Sequence, residues 1–316
     1  MGKVYFNQEW YGTQAKVLRQ SEDCAVVDYG CNGRGIVKNY QLFEGIQLCF
    51  LDFETDETME AQKFNPDIIQ ITHCQIGRYE CEFANHTVSY LPEGCFSVAA
   101  TEYLPVSFSF PLGKYYGVSL VIDRQELSDE TRKLMQTIPI DLDKTGTALD
   151  LEMRWYVSNT SPQLQRLFSE IYAAVQTEPV GYFKIKAIEL LYHIDQLTQI
   201  DGCDLKYFDK KQIQATKAIR DYLVAHLDEK VSFDQLAREA QLSLSVFYLA
   251  FSYIYGDTPY AYLKKYKMNL AAKWLLENKM KIGDIALDLG YNNASKFAKA
   301  FQSAYGMLPK DYRKNK

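Results

Sequence analysis

The side chains with the clearest chemical potential lie near the C-terminal end of this 316-residue chain. They are Asn292, Asn293, Ser295, Lys296, Lys299 and Gln302, flanked by Lys264, Lys267, Lys310, Arg313 and Lys314. Carboxamides pair a donor with an acceptor and suit the edge of adenine, while an ammonium group donates to guanine. Lys310, Arg313 and Lys314 fit phosphate, which fixes register without reading sequence. Asn292 or Asn293 could instead cap a helix.

Covalent and metal chemistry have less to stand on. The seven cysteines (Cys24, Cys31, Cys49, Cys74, Cys81, Cys95 and Cys203) are odd in number and show no C-x-x-C spacing. Reduced thiols of this kind serve as small core residues. The histidines are His73, His86, His193 and His226, with no H-x-H. His73 and Cys74 are neighbours, so a strand would send them to opposite faces. No nucleophile motif, P-loop or G-x-G-x-x-G is present. We therefore expect no catalytic residue, no metal site and no cofactor.

The elements that position the polar cluster are visible as a repeat. Residues 245–262 read SVFYLAFSYIYGDTPYAY and residues 295–312 read SKFAKAFQSAYGMLPKDY. Both fit S-x-F-x-x-A-F-x-x-x-Y-G-x-x-P-x-x-Y, offset by 50 residues. Phe247, Ala250, Phe251 and Ile254 recur on one helical face, as do Phe297, Ala300, Phe301 and Ala304. Gly256 and Gly306 end the two helices, and Pro259 and Pro309 begin the next ones. A shorter helix precedes each copy, from Ser232 (a capping box with Gln235) and from Ile282. Helix, short turn, helix, twice over, is the helix-turn-helix pattern. Tyr260 to Asn278 reads as one long helix between the copies. A purely structural bundle is the alternative.

The stretch IGDIALDLGYNNASKFAKAFQSAYGMLPKDYRK resembles the signature of the AraC/XylS transcription-regulator family. FDQLAREAQLSLSVFYLAFSYIYGDTPYAYLKKYKMNLAAKWLLE is similar to that family's first unit and linker helix. The resemblance covers about the last 105 residues. It implies seven helices, with two recognition helices entering successive major-groove segments of double-stranded DNA; RNA polymerase is a candidate further partner.

Applied to the first copy, the 50-residue offset makes Ser245, Val246, Tyr248, Leu249, Ser252 and Tyr253 outward, with Ser243 before them. No Lys, Arg, Asn or Gln lies between Leu242 and Leu263, and the resemblance implies an arginine where Leu249 stands. The first unit is expected to use hydroxyls of Ser243, Ser245, Tyr248 and Ser252 and apolar contacts to thymine methyls. Alternatively, Leu249 and Tyr253 dock against the rest of the chain.

Charge divides the chain in the same place. Net charge is −5, but residues 206–316 hold 19 Lys and Arg against 11 Asp and Glu, a surplus of +8. The remaining residues, with 16 basic against 29 acidic, carry −13. A basic half points to a polyanion partner for that half alone. All of the surplus lies from Lys264 onward.

An α+β organisation follows. Residues 1–204 read as an effector-sensing and dimerising domain, β-rich and barrel-like to about 155, with helices at about 161–199. Residues 205–316 read as the all-α double helix-turn-helix domain. Ile69–Phe83, His86–Leu91, Val106–Phe110 and Val118–Ile122 are strand-like, with a turn at Pro92–Gly94. Ser161–Gln176 opens with a Ser-Pro pair suited to a helix start, and Phe183–Leu197 has helical apolar spacing.

CQIGRYECEF…LPEGCFSVAA and FKIKAIELLYHI are similar to the subgroup typified by the pyochelin regulator. That implies a small-molecule effector and a homodimer. Inward strand aromatics Tyr79, Phe83, Phe96, Phe108 and Phe110 are candidate ligand contacts, or simply core. With no apolar run near ~18 residues and no apolar leader in MGKVYFNQEWYGTQ, a cytoplasmic protein without membrane contact is expected. Two other readings remain open. One is a β-barrel enzyme fused to a DNA-binding domain, which would need an activated cysteine or a metal cluster. The other is a ligand-free regulator controlled by protein partners.

Overall fold

The structure is a computed structural model and describes residues 11, 14–61, 67–175, 177, 179–203 and 205–314. The chain divides into two units between Tyr207 and Phe208. The sequence reading set the division between 204 and 205.

Branched and aromatic residues at alternate positions make the first unit a curled antiparallel sheet. Its strands are β1 (Lys16–Gln20), β2 (Cys24–Asp28), β3 (Arg34–Phe43), β4 (Ile46–Glu54), β5 (Met59–Glu60), β6 (Ile68–Glu82), β7 (Thr87–Pro92), β8 (Cys95–Ala100), β9 (Ser107–Ser109), β10 (Lys114–Asp123) and β11 (Tyr156–Asn159). The main sheet runs β1-β2-β3-β4-β10-β6-β8-β11. β6 is 15 residues long, and its second half leaves this sheet to pair with β7 and β9. Gly77 permits the bend. Its φ is +90°, beside a register shift between Tyr116 and Gly117 of β10, and a Cβ there would overlap the Lys114 carbonyl.

Both faces of the central strands are buried. Leu48, Phe50, Ile69, Ile71, Val118 and Leu120 face one core, and Cys49, Phe53, Ile68, Cys74 and Val121 face another. Helices α1 (Asp129–Thr137), α2 (Leu142–Leu149), α3 (Pro162–Ala174) and α4 (Val180–Asp195) follow in sequence. α3 and α4 cover the first face with Leu167, Phe168, Ile171, Phe183, Leu190 and Ile194. Ser161 caps α3, accepting from the Leu164 amide at 3.3 Å. The expectation of β structure up to about 155 overlooked α1 and α2. Ser128 and Asp141 cap them, but at 9 and 8 residues they are too short to show a periodic apolar stripe.

His73 and Cys74 point to opposite faces. His73 stacks on Phe168 at a centroid distance of 4.1 Å, and its Nδ1 lies 3.0 Å from the Tyr172 hydroxyl. Cys74 is buried in the other core.

The second unit contains seven helices among the described residues: α5 (Lys210–Ala225), α6 (Phe233–Glu239), α7 (Leu244–Tyr255), α8 (Pro259–Glu277), α9 (Ile282–Asp288), α10 (Ala294–Tyr305) and α11 (Pro309–Tyr312). Met268, Ala271, Ala272 and Leu275 of α8 pack with Ile285, Leu289, Phe297 and Phe301. No helix of the described residues is long and apolar enough to cross a membrane.

Burial lowers the His73 pKa from 6.5 to about 4. Between these values the unfolded chain binds a proton that the folded one refuses. Stability is thus complete above pH 6.5 and falls as the pH drops towards 4, by on the order of 3 kcal/mol. Thermal melting across this window should show the loss, and His73→Gln should flatten it. An equally steep curve in the variant would rule out His73 as the cause.

Candidate nucleic-acid interface and interior cavity

The repeat is reproduced in three dimensions. Phe251, Tyr255 and Tyr262 form a ring triad with centroid distances of 4.6, 5.4 and 4.9 Å. Phe301, Tyr305 and Tyr312 form its copy at 4.7, 5.3 and 5.1 Å. The tyrosines of the motif thus clamp each recognition helix to the helix that follows it. Gly256 and Gly306 end α7 and α10 at φ +80° and +73°, values that cost Gly least.

The turns differ. Gln241 and Gly290 hold equivalent left-handed positions, φ +59° and +76°, but lie 49 residues apart rather than 50. The second turn therefore carries one extra residue, Asn292. Gly290 is required there, because a Cβ would meet the Leu227 carbonyl oxygen at 2.5 Å.

α10 buries Phe297 and Phe301 and exposes Ser295, Lys296, Lys299 and Gln302. Asn292 and Asn293 are exposed beside them. Asn293 is the cap, its Oδ1 accepting from the Ser295 amide at 2.6 Å, which leaves its NH2 free to donate. α7 exposes Ser245, Leu244 and Leu249. Ser243 is likewise a cap, accepting from Val246 N at 3.3 Å. Tyr248 is half-buried, edge-on to Phe233 and Phe247. Ser252 is half-buried, and Tyr253 packs against Phe208.

Lys264 and Lys310 are exposed. Two of the expected DNA contacts, Lys267 and the phosphate candidate Arg313, bond within the unit. Lys267 Nζ donates to the Leu227 carbonyl at 2.7 Å, and burial lowers its pKa. Arg313 donates to the Met280 carbonyl at 2.8 Å. Each satisfies a backbone acceptor that its own fold would otherwise leave unpaired.

In the first unit, the inner face of the sheet lines an open cavity of about 420 Å³. Tyr11, Tyr29, Phe53, Tyr79 and Phe108 line it with Val37, Leu51, Ile68, Leu104 and Val121. Its polar lining residues, apart from the tyrosines, are Gln70, Thr101 and Ser119. Gln70 Nε2 lies 3.1 Å from Thr72 Oγ1 and 3.3 Å from Ser119 Oγ. No charged side chain occurs among the described lining residues.

Of the expected ligand contacts, Tyr79 and Phe108 line the cavity. Three do not. Phe96 pairs in register with His73 and so faces the helices with it. Phe83 lies past the end of β6 and packs on Trp155 at 5.4 Å. Phe110 stacks behind Tyr79, at 4.6 Å from Tyr115. Tyr11, Tyr29, Phe53, Gln70 and Ser119 were missed. The polar parity of Gln70 and Thr72 in an apolar strand was the available signal.

Burial pushes the thiols of Cys49 and Cys95 up to about 12 and about 11, and raises Cys24, Cys31, Cys74 and Cys81. A raised thiol is a weak nucleophile. No group of three or more His, Cys, Asp or Glu among the described residues is placed to hold a metal.

Residues 236–315 match a family described as a helix-turn-helix domain. The chain is 32% identical over 158 residues to the transcriptional regulator LumQ of Photobacterium leiognathi, covering 46% of this chain and 64% of that one. It is 36% identical over 80 residues to an AraC-like transcription regulator of Streptomyces lividans, covering 25% and 26%. ToxT of Vibrio cholerae aligns in structure at 13% identity and TM-score 0.34, over 85% of this chain and 98% of that one. The chain thus spans less than two thirds of the curated relatives it matches. Its second unit is a DNA-binding domain of the helix-turn-helix class. Over 80 residues that domain is similar to the one in the AraC-like regulator.

Lys296→Ala should weaken DNA binding and lower the slope of log affinity against log salt by about 1, read by fluorescence anisotropy. Lys267→Ala should instead cost about 1–3 kcal/mol of stability with little change of slope. The reverse pattern would overturn the assignment. Gly290→Ala should destabilise the second unit by about 2 kcal/mol or more, measured by urea unfolding.

Proposed function

We propose that the chain is a sequence-specific DNA-binding transcription regulator whose first unit holds a small-molecule effector. One observation carries the DNA half of this reading. Two copies of one buried scaffold present recognition helices, and α10 turns Ser295, Lys296, Lys299 and Gln302 to solvent with Asn292 beside them. The second copy supplies electrostatic affinity and polar readout, while Ser245, Leu244 and Leu249 of the first contact thymine methyls and nearby backbone. The cavity supports the effector half, being within the ~300–1,000 Å³ usual for small-molecule sites. The raised thiols weigh against a nucleophilic cysteine at those six positions.

Selection of bound sequences from a random duplex pool by the full chain tests this reading. Enrichment of two half-sites about one helical turn apart is expected, with binding that falls steeply as salt rises. Retention of DNA with no enriched sequence would sink it.

A further inference from the structure

Resting on the reading of the cavity as the effector site, we infer that it takes an uncharged, largely aromatic molecule with one polar group, and discriminates against ionised molecules of the same skeleton. Size and shape come from the rings. Tyr29 meets Phe53 and Phe108 edge-on at 5.6 and 5.9 Å, and Tyr79 meets Phe108 at 5.6 Å. These rings border open space on one side, where a further ring would complete the same edge-to-face packing.

Charge selectivity comes from what surrounds that space. The described lining offers neither a cation for an acid nor a carboxylate for an amine. Its titratable groups remain neutral, since burial raises Tyr29 and Cys49 to about 12 and raises Tyr11 and Tyr79 as well. An ion entering here sheds its water and meets no counter-charge among the described lining residues, which costs well over tenfold in affinity.

The polar group has a defined place. Gln70, Thr72 and Ser119 form a cluster with the Thr72 and Ser119 hydroxyls 2.9 Å apart, and its three hydrogen bonds use three of four donor protons, so the Gln70 carbonyl oxygen and one hydroxyl proton are left for a ligand. The Tyr29 and Tyr79 hydroxyls also have no partner among the described residues. A ligand hydroxyl, carbonyl or amide would bond to this side while its rings lie against Tyr29, Tyr79 and Phe108.

N-phenyl-1-naphthylamine, an uncharged fluorophore that brightens in apolar sites, serves as reporter on the full chain at pH 7. Its competitors are 1-naphthol, 1-naphthalenesulfonate and trimethyl(1-naphthylmethyl)ammonium, which share one ring system and differ in charge. We expect 1-naphthol to displace it at concentrations at least tenfold lower than either ion. Ala61→Trp and Leu104→Trp, each checked for folding by circular dichroism, should abolish the signal. Gln70→Leu should reduce the advantage of 1-naphthol over 1-methylnaphthalene severalfold.

Displacement by the sulfonate or the ammonium as readily as by 1-naphthol overturns the inference. So does a signal that survives in both folded tryptophan variants, or no reporter binding at all. If 1-naphthol binds as expected but leaves affinity for the selected DNA unchanged, the inference stands and the effector reading falls.

Discussion

In β4, β6 and β10 successive side chains alternate between two buried faces, and each residue can serve only one of them. Even positions of the first half of β6 meet the cavity side, and odd positions meet α3 and α4. The same rule at a period of 3.6 governs α7 and α10, where the phenylalanines are consumed by the scaffold and the intervening positions are left for a partner. Neither the cavity nor the recognition surface is therefore independent of the core. Moving a strand by one residue, or rotating a helix by one, would exchange them.

This constraint explains what was legible in the sequence. The repeat was readable because Phe, Tyr, Gly and Pro each have one role in it, and those roles recur in both aromatic triads. The strands of β6 and β10 were readable from composition. Their facing was not, because parity needs an origin. Phe96 looks like any inward aromatic until its pairing with His73 shows which side it shares. The internal bonds of Lys267 and Arg313 were hidden for a related reason. A basic side chain in a basic domain looks like a solvent charge, and only the nearby Leu227 and Met280 carbonyls show otherwise. The short helices α1 and α2 had their caps in the sequence but too few turns to display a stripe.

The two helix-turn-helix copies share their C-terminal glycines and their ring triads, yet differ in their caps and in what they present. The first offers leucines and hydroxyls, the second lysines and carboxamides. The extra residue in the second turn shifts its scaffold helix and its recognition helix by different offsets from the first copy. The copies are thus not interchangeable parts. A graft of α10 onto α6 would have to bring its own turn with it.

A cavity with no charge among its described lining residues in one unit and a cationic face in the other also answer to different properties of the surrounding solution. Ionic strength acts on the competition between salt and protein for phosphate, and barely touches an interaction between neutral groups. The same chain would then receive its chemical input through a channel insensitive to osmotic change, and deliver its output through one that such change strongly attenuates. Under salt stress the occupancy of the cavity would persist while its consequence faded.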